Sequence, residues 1–443
     1  MTAKSPWALA GICGALCLAP AIAIAEVEIE WWHAMDGVLG EKVQQIADRF
    51  NARQSDYELT PVFKGNYSET LGAANDAFET GDQPHIIQVF DVGTASMMAA
   101  EDAIYPVHQL MADAEAPFGP TTFLPAVQSY FSDEAGNLLA LPFNVSTPVL
   151  YVNRNAFIDA NLDPDAIPAT WPDFADALSL IQQAGKPCGF TTAWQSWIQL
   201  ENFSAWHDVP FMSREELPFG TLTELVFDAP AQTAHITALA QWSETDLFRY
   251  AGRQGASQNL FLSGTCAAYF ASSVAYATLT TNADFDVGVA PLPFWPDITD
   301  TPRNTTVGGA ALWVLQGHDA EDYAGVADVI AYLASDTVQV DWHYYTGYLP
   351  VTRQAYTLSR NQGFYDANPG MEVAVRQVAN RSTSLNSGGV RLERFVEIRS
   401  LINEELEAVW NGQKPADLAL REAAARGTVL LLEKAQETPV EPD

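Results

Sequence analysis

Residues 86–94 read Ile86-Ile87-Gln88-Val89-Phe90-Asp91-Val92-Gly93-Thr94. A short apolar run closed by an acidic, glycine-containing turn reads as a strand buried on both faces that opens into a helix. Upstream lie a strand-like Val27-to-Trp32, a helical pattern that puts Val43, Ile46, Ala47 and Phe50 on one face, a strand from Tyr57 to Phe63, and a helix-like segment from Tyr67 to about Thr80. β-α-β-α-β is the start of an open parallel sheet. Ligands of such sheets lie at the carboxyl ends of strands, which directs attention to Lys64-Gly65-Asn66-Tyr67 and to Asp91.

A second set begins near Pro142, with Pro148-to-Val152 as a strand and Trp171-to-Gly185 as a helix. Gly308-Gly309 precedes an apolar run, Ala310-to-Leu315, and an amphipathic helix follows from about Ala320 to Leu333. The C-terminal hundred residues read as mostly helical, notably Ile398-to-Trp410 and Pro415-to-Lys434. No repeat, low-complexity tract or extended linker interrupts the chain. Two α/β lobes joined without a flexible linker imply more than one crossing between them, with a cleft at the crossing.

The 443 residues carry 55 Asp+Glu against 22 Lys+Arg, a formal charge of −33. Such a field opposes the counterion release that drives nucleic-acid binding, and it opposes adhesion to anionic lipid. Neither partner is expected. The 48% of hydrophobic residues is enough to core more than one folding unit.

Lys4, the apolar run Trp7-to-Ala25 and the small-residue end Ala23-Ile24-Ala25 read as a signal peptide cleaved after Ala25. A retained anchor is the rival, because an apolar stretch of this length just spans a bilayer; Pro20 and the cleavage site favour removal. Two cysteines then remain, Cys188 and Cys266. Export permits a bond between them, and two buried free thiols are the alternative.

Catalytic signatures are missing: no G-x-S-x-G, H-E-x-x-H, G-x-x-x-x-G-K-[ST] or G-x-G-x-x-G occurs. The seven histidines are scattered, and no His or Cys cluster has zinc-ligand spacing. Nothing demands catalysis, a metal or a cofactor. Carboxylates are nevertheless abundant enough that an exported glycoside hydrolase stays open as a rival from a different class.

Binding chemistry is better represented. Trp194 and Trp197, one helical turn apart in the segment Trp194-to-Trp206, form either a platform for a small polar ligand or ordinary core packing. The interleaved Gln195, Gln199 and Glu201 make an entirely buried helix unexpected. Ser146, in Asn144-Val145-Ser146-Thr147-Pro148, and Ser272, in Ala271-Ser272-Ser273, lie beside apolar strands; they either donate to ligand oxygens or cap turns. Gly309 permits close backbone approach or serves a strained turn. Tyr348 sits in the tyrosine-rich loop Tyr344-to-Pro350. Cations being scarce, Arg399 at the start of the Ile398 helix stands out: it clamps an anion in a bidentate fork or pairs with one of many acids.

Taken together, Trp32-His33-Ala34-Met35, Lys64-Gly65-Asn66-Tyr67, Gln88-to-Thr94, Pro142-to-Tyr151, Trp194-to-Trp206, Gly308-to-Trp313, Thr346-to-Pro350 and Glu404-to-Trp410 run in one order over essentially the whole chain beyond residue 25. In this the chain resembles the periplasmic glycerol-3-phosphate-binding proteins of ABC importers, in extracellular solute-binding protein family 1. The resemblance implies a two-lobed, type II Venus-flytrap fold with a ligand cleft. It places the N-terminal lobe at 26–143 and 286–333 and the C-terminal lobe at 144–285 and 334–443. It also implies ligand contacts at Tyr67, Asp91, Ser146, Ser272, Gly309, Tyr348 and Arg399, with Trp194 and Trp197 lining the pocket. At Asp91 the family pattern has Glu, and the chain also diverges about Arg381-to-Gly389. Capture of glycerol 3-phosphate or glycerophosphodiesters such as glycerophosphocholine by a periplasmic monomer, and delivery to the permease subunits, is the implied function. A binding protein for neutral oligosaccharides is the alternative within the same class. On this view Arg399→Ala is expected to leave the fold intact.

Overall fold

The computed structural model describes residues 1–2, 27–116, 118–119, 122–217 and 220–437. The signal peptide and its cleavage after Ala25 therefore lie outside the described residues. Along the chain the strands are β1 (Val27–His33), β2 (Tyr57–Phe63), β3 (Ile86–Phe90), β4 (Leu141–Ser146), β5 (Pro148–Asn153) and β6 (Cys188–Thr192). They continue with β7 (Met212–Leu217), β8 (Gly220–Leu225), β9 (Cys266–Ser272), β10 (Val287–Ala290) and β11 (Gly308–Val314).

Two sheets organise them, in the orders β2-β1-β3-β11-β4 and β10-β5-β9-β6, with β7-β8 as a separate hairpin. β1 is parallel to both β2 and β3, as the alternation of Val27-to-Trp32 and the apolar run at 86–90 predict. β11 runs antiparallel between β3 and β4, so the first sheet is mixed. Helices cover the sheets for the reason the periodicity gives. Helix Gly37–Asn51 buries Val43, Ile46, Ala47 and Phe50, a single stripe at helical spacing, while its remaining positions are mostly polar. Among the described residues no helix is long and apolar enough to cross a membrane.

The lobe boundaries differ from those expected. β4 reaches Ser146 within the first sheet and β5 starts at Pro148 within the second, so the chain crosses at Thr147 rather than after 143. β10 belongs to the second sheet, which moves the return crossing from 285 to the stretch between Ala290 and Gly308. Residues 334–352 stay with the first sheet. On helix Asp336–Thr346, Asp341 pairs with Lys42 at 2.9 Å and with Arg49 at 2.6 Å, and Trp342 stacks on Phe143. The third crossing follows Thr352, because helix Pro369–Val378 already lies against the second sheet, with Gln377 donating to the Pro148 carbonyl at 2.7 Å. Strand pairing and ion pairs between distant segments set these boundaries, and neither has a local sequence signal.

The crossing strands are tied to each other and to the second lobe. Thr147 Oγ1 lies 2.7 Å from Thr305 Oγ1 and 2.9 Å from the Thr306 carbonyl. Downstream of β10, the Trp295 backbone N–H donates to His207 Nε2 and its indole N–H donates to His235 Nδ1. Both histidines must be neutral to accept. Burial holds His207 down to about 4, and does the same to His33 and His343.

Cys188 and Cys266 face each other on the parallel strands β6 and β9 and are bonded. On the loop-entropy model, closing this loop removes about 4.5 kcal/mol of freedom from the unfolded chain. Cys188→Ser, Cys266→Ser and the double variant should each lower the urea midpoint by a similar amount, and a reductant should do so only for the wild type. A second consequence concerns acid. Unfolded histidines titrate near 6.5, so between pH 6.5 and 4 the unfolded chain binds protons that the buried folded histidines refuse. Stability should fall as pH drops through that window. A melting temperature unchanged between pH 7 and pH 5 would mean that the folded histidines accept the protons.

Candidate functional site

Strand ends and helix starts deliver the site. Tyr67 is the first residue of helix Tyr67–Thr80, fixed by a capping box: the Asn66 side chain accepts from the N–H groups of Ser68 and Glu69, and Glu69 accepts from the Asn66 N–H at 2.7 Å. Asp91 follows directly on β3. Ser146 ends β4, Ser272 ends β9, and Gly309 is the second residue of β11. Tyr348 follows helix Asp336–Thr346 and stacks on Trp342. Arg399 lies one turn inside helix Phe395–Trp410.

The glycine pair at the start of β11 is required twice over. Gly309 has φ +94°, and a Cβ there would meet the Asn144 carbonyl oxygen at 2.0 Å; a Cβ at Gly308 would meet the Trp197 ring at 2.5 Å. One glycine provides a left-handed turn and the other admits an indole from the opposite lobe.

All nine expected residues line one cavity of about 100 Å³, together with Phe90 and Val274. Tyr67, Asp91, Ser146, Gly309 and Tyr348 come from the first-sheet side. Trp194, Trp197, Ser272 and Arg399 come from the second. The cavity therefore lies where the lobes meet.

The two indoles arrive differently from the expected single helix face. Trp194 precedes the helix with φ +42°, and Trp197 opens a stretch, Trp197–Asn202, wound with i→i+5 hydrogen bonds. Such π-turns are frequent at functional sites. The stretch Trp197–Asn202 is also wholly buried, against expectation, and its glutamine and glutamate side chains have found partners, as has Gln195 beside it. Gln195 accepts from the Trp410 indole, and Gln199 donates to Thr192 Oγ1 at 2.9 Å. Glu201 accepts from Arg399 Nε at 2.8 Å and Nη2 at 2.7 Å.

That last fork decides the electrostatics. Arg399 Nη2 also donates to Asp91 Oδ2 at 2.8 Å, so one guanidinium holds a carboxylate from each lobe. Burial works against the Arg399 charge and the two carboxylates outweigh it, raising its pKa. For Glu201, burial pushes the carboxyl up and Arg399 pulls it down. Both its oxygens accept N–H bonds, which is the geometry of an ionised carboxylate. Nη1 of Arg399, Oδ1 of Asp91 and the Ser146 hydroxyl make no hydrogen bond to other described residues, so these groups remain for a ligand.

A second network orients the phenols. The Ala34 N–H donates to Gln88 Oε1, Gln88 Nε2 to Asn144 Oδ1, and Asn144 Nδ2 to Tyr67 Oη at 2.9 Å. The Tyr67 hydroxyl also shares a hydrogen bond with the Tyr348 hydroxyl, so the two phenols are held as a pair. Phe90 stacks on the Tyr67 ring at 5.3 Å.

Glu201, Phe90, Val274 and Asn144 were missed by sequence reasoning as members of the site or its support. Phe90 adjoins Asp91 and is legible as a strand end; Glu201 reads from its neighbours as a solvated residue in a helix. One cluster not expected from spacing joins His85, His318 and Asp322. The two imidazoles stack face to face at 3.9 Å, and His85 Nδ1 accepts from the Glu30 N–H. Parallel rings do not converge their lone pairs on one ion, so the cluster gives no reason to assign a metal.

Comparison with known proteins fits this geometry. Residues 45–373 match the family model described as bacterial extracellular solute-binding protein. The chain belongs to that family. It is 46% identical over 422 residues to the sn-glycerol-3-phosphate-binding periplasmic protein UgpB of Yersinia pseudotuberculosis, covering 95% of this chain and 96% of that one. It is 45% identical over 408 residues to UgpB of Escherichia coli O6:K15:H31, covering 92% and 93%. Among solved structures, UgpB from Mycobacterium tuberculosis in complex with glycerophosphocholine aligns with a TM-score of 0.78 at 21% identity, over 92% of this chain and 99% of that one. Maltose-bound MalE3 of T. maritima aligns with a TM-score of 0.74 at 18% identity, over 91% and 100%. This solute-binding protein thus has the two-lobed fold that the sequence predicts.

One expectation about this site changes. Removing Arg399 would strand Glu201 and Asp91 as unpaired carboxylates, so Arg399→Ala should cost about 3 kcal/mol of stability rather than leave the fold untouched. Glu201→Gln in the same chain should recover much of that loss. Urea unfolding of the two single variants and the double variant measures the coupling. An additive result would mean that the pair contributes nothing to the fold.

Proposed function

We propose that this chain is an exported, periplasmic binding protein that captures sn-glycerol 3-phosphate or its diesters, such as glycerophosphocholine, and delivers them to the permease subunits of an ABC importer. Export would remove residues 1–25, and the mature chain would act as a monomer. The observation that carries the reading is the convergence on one interlobe cavity of a guanidinium, hydroxyl-bearing side chains, a carboxylate and two indoles, all at positions that the resemblance implies.

Each group has a role. Arg399 Nη1, the hydroxyls of Ser146, Ser272 and Tyr348, and the backbone at Gly309 hold the phosphate as donors. Asp91 accepts from a glycerol hydroxyl and Tyr67 donates to one. Trp194 and Trp197 pack on the carbon chain or on a choline headgroup. The remote carboxylates behind the net charge of −33 are screened over about 8 Å at physiological salt, so the nearest donors decide whether an anion binds.

Binding is coupled to transport through shape. A ligand touching both lobes favours the closed form, and the closed pair of lobes is what the permease recognises. No covalent step is required. A neutral-oligosaccharide reading has the indole pair in its favour, but it leaves the buried Arg399 without a ligand to hold.

Isothermal titration of residues 26–443 with glycerol 3-phosphate, glycerophosphocholine and maltose tests the reading. One-to-one binding of a phosphate ester with no response to maltose is expected. Binding of maltose alone would reassign the cavity to sugars. Trp194→Ala should weaken the choline diester about tenfold more than glycerol 3-phosphate, given what a desolvated cation–π contact contributes. Equal losses would place the headgroup away from the indole.

A further inference from the structure

The stretch Arg381-to-Gly389, where the chain departs from the family pattern, lies in a strap between two elements of the second lobe, helix Pro369–Val378 and helix Phe395–Trp410. Both ends of the strap are fixed there. The Arg381 N–H donates to Asn304 Oδ1 at 2.6 Å, and Asn304 Nδ2 returns a bond to the Arg381 carbonyl at 2.7 Å. The Ser384 hydroxyl donates to Asp208 Oδ1 at 2.6 Å, and Asn386 Nδ2 donates to the Asp208 carbonyl at 3.0 Å. Downstream, Phe395 meets Phe211 edge to face. The middle of the strap, Gly389-Val390-Arg391, rests instead on the first lobe. Tyr130, the last residue of helix Pro125–Tyr130, donates to the Val390 carbonyl at 3.1 Å, and Arg391 Nη1 donates to the Ser132 carbonyl at 2.9 Å. Gly389 suits this approach: its φ is +90°, and a Cβ there would meet Tyr130 Cε2 at 2.6 Å.

The same Tyr130 hydroxyl donates to the Asp91 carbonyl at 3.1 Å. A phenol has one proton, so the turn that carries Asp91 and the strap share it. Asp91 thus meets the second lobe twice, through its carboxylate on Arg399 and through its carbonyl by way of Tyr130 and Val390. Both contacts hang on one residue, so a motion of the lobes that breaks one strains the other.

We propose that Gly389-Val390-Arg391 is an interlobe latch and that Tyr130 is its positioning residue, seating the strap on the first lobe and steadying Asp91 so that a bound ligand leaves slowly. This rests on the phosphate-ester reading above and deepens it, by naming what controls release from the same site. A groove of about 700 Å³ runs beside the contact, lined by Met98, Ser132 and Leu139 of the first lobe and by Arg391 and Glu393 of the strap. The groove brings solvent to the edge of the contact, and Gly389 and Val390 are themselves only partly buried, so the strap lifts without opening a core. Tyr130 stays behind, packed edge to face on Phe131. A ligand enters the open cleft before the strap seats, whereas departure requires the strap to lift first. The latch therefore acts on dissociation and leaves association alone.

Stopped-flow fluorescence of the cavity tryptophans, with glycerol 3-phosphate and separately with glycerophosphocholine, reads both rates. Tyr130→Phe keeps the ring and removes the shared proton, and Gly389→Ala drives the strap off the ring. Each should raise the dissociation rate about fivefold, the equivalent of one hydrogen bond, with the association rate within about twofold of wild type. Because both variants undo one contact, the double variant should stay within about twofold of the faster single rather than reach the product of the two. Unchanged dissociation in both variants overturns the latch with the phosphate reading intact, even where the ligand-free melting temperature falls, since that is the mark of a role in folding alone. A loss that falls on association, or a double variant that reaches the product, overturns it equally. Should Tyr130→Phe fail to fold, Gly389→Ala decides alone. Wild type binding neither ligand overturns both the latch and the reading it rests on.

Discussion

The ion pairs of Arg399 set the terms for the rest of the molecule. A guanidinium nine-tenths buried at the junction of two lobes is unfavourable unless its charge and its hydrogen bonds are satisfied. Glu201 does this from within the second lobe and Asp91 from the first. The two partners are not equivalent. Glu201 is held by a helix packed on all sides, so its fork orients the guanidinium whatever the lobes do. Asp91 reaches Arg399 from the first lobe, so the Asp91 contact is the one that bridges the two. The single cation thus serves as an internal fixture on one side and an interlobe contact on the other, with its remaining edge open to a ligand.

Position is supplied to this triad by ordinary packing. Asp91 sits at the end of a strand whose every apolar side chain is buried or nearly so, and the turn that carries it is closed by Gly93, where a Cβ would meet Val89 Cγ1 at 2.5 Å. Arg399 stands on a helix anchored by Ile398, Ile402 and Leu406, all fully buried.

Much of this is legible in the amino-acid order itself. Period-two and period-3.6 patterns locate β1 to β3 and the covering helices, and the rule that ligands gather at strand ends points to Tyr67 and Asp91. Cysteine counting beyond residue 25 leaves one possible bond, and Cys188 and Cys266 form it. Two kinds of fact are not legible. Lobe membership depends on which strands pair and on contacts such as Asp341 with Arg49, nearly three hundred residues apart. The state of Glu201 depends on Arg399, 198 residues away; the same Gln-Glu pattern that reads as solvated in isolation is buried once Glu201 meets Arg399 and Gln195 meets Trp410 and the Asn403 carbonyl. Sequence periodicity reports a residue's own preference and is silent about what arrives to satisfy it.

The placement of the hinge completes the argument. Ser146 and Ser272 lie beside the crossing at Thr147, with Pro148 in register with Ser272 and Gly308 with Ser146. Groups next to a hinge move least when the lobes open, so the hydroxyls and the Gly309 backbone form a nearly constant floor. Arg399 and Asp91 belong to elements outside the crossing strands and separate by more. A ligand resting on the floor is therefore enclosed by an ion pair that joins the two lobes. The energy of closing is divided between that pair and the ligand's own contacts, and a pair that is too strong would close the cleft empty. By sharing Arg399, Glu201 weakens its hold on Asp91.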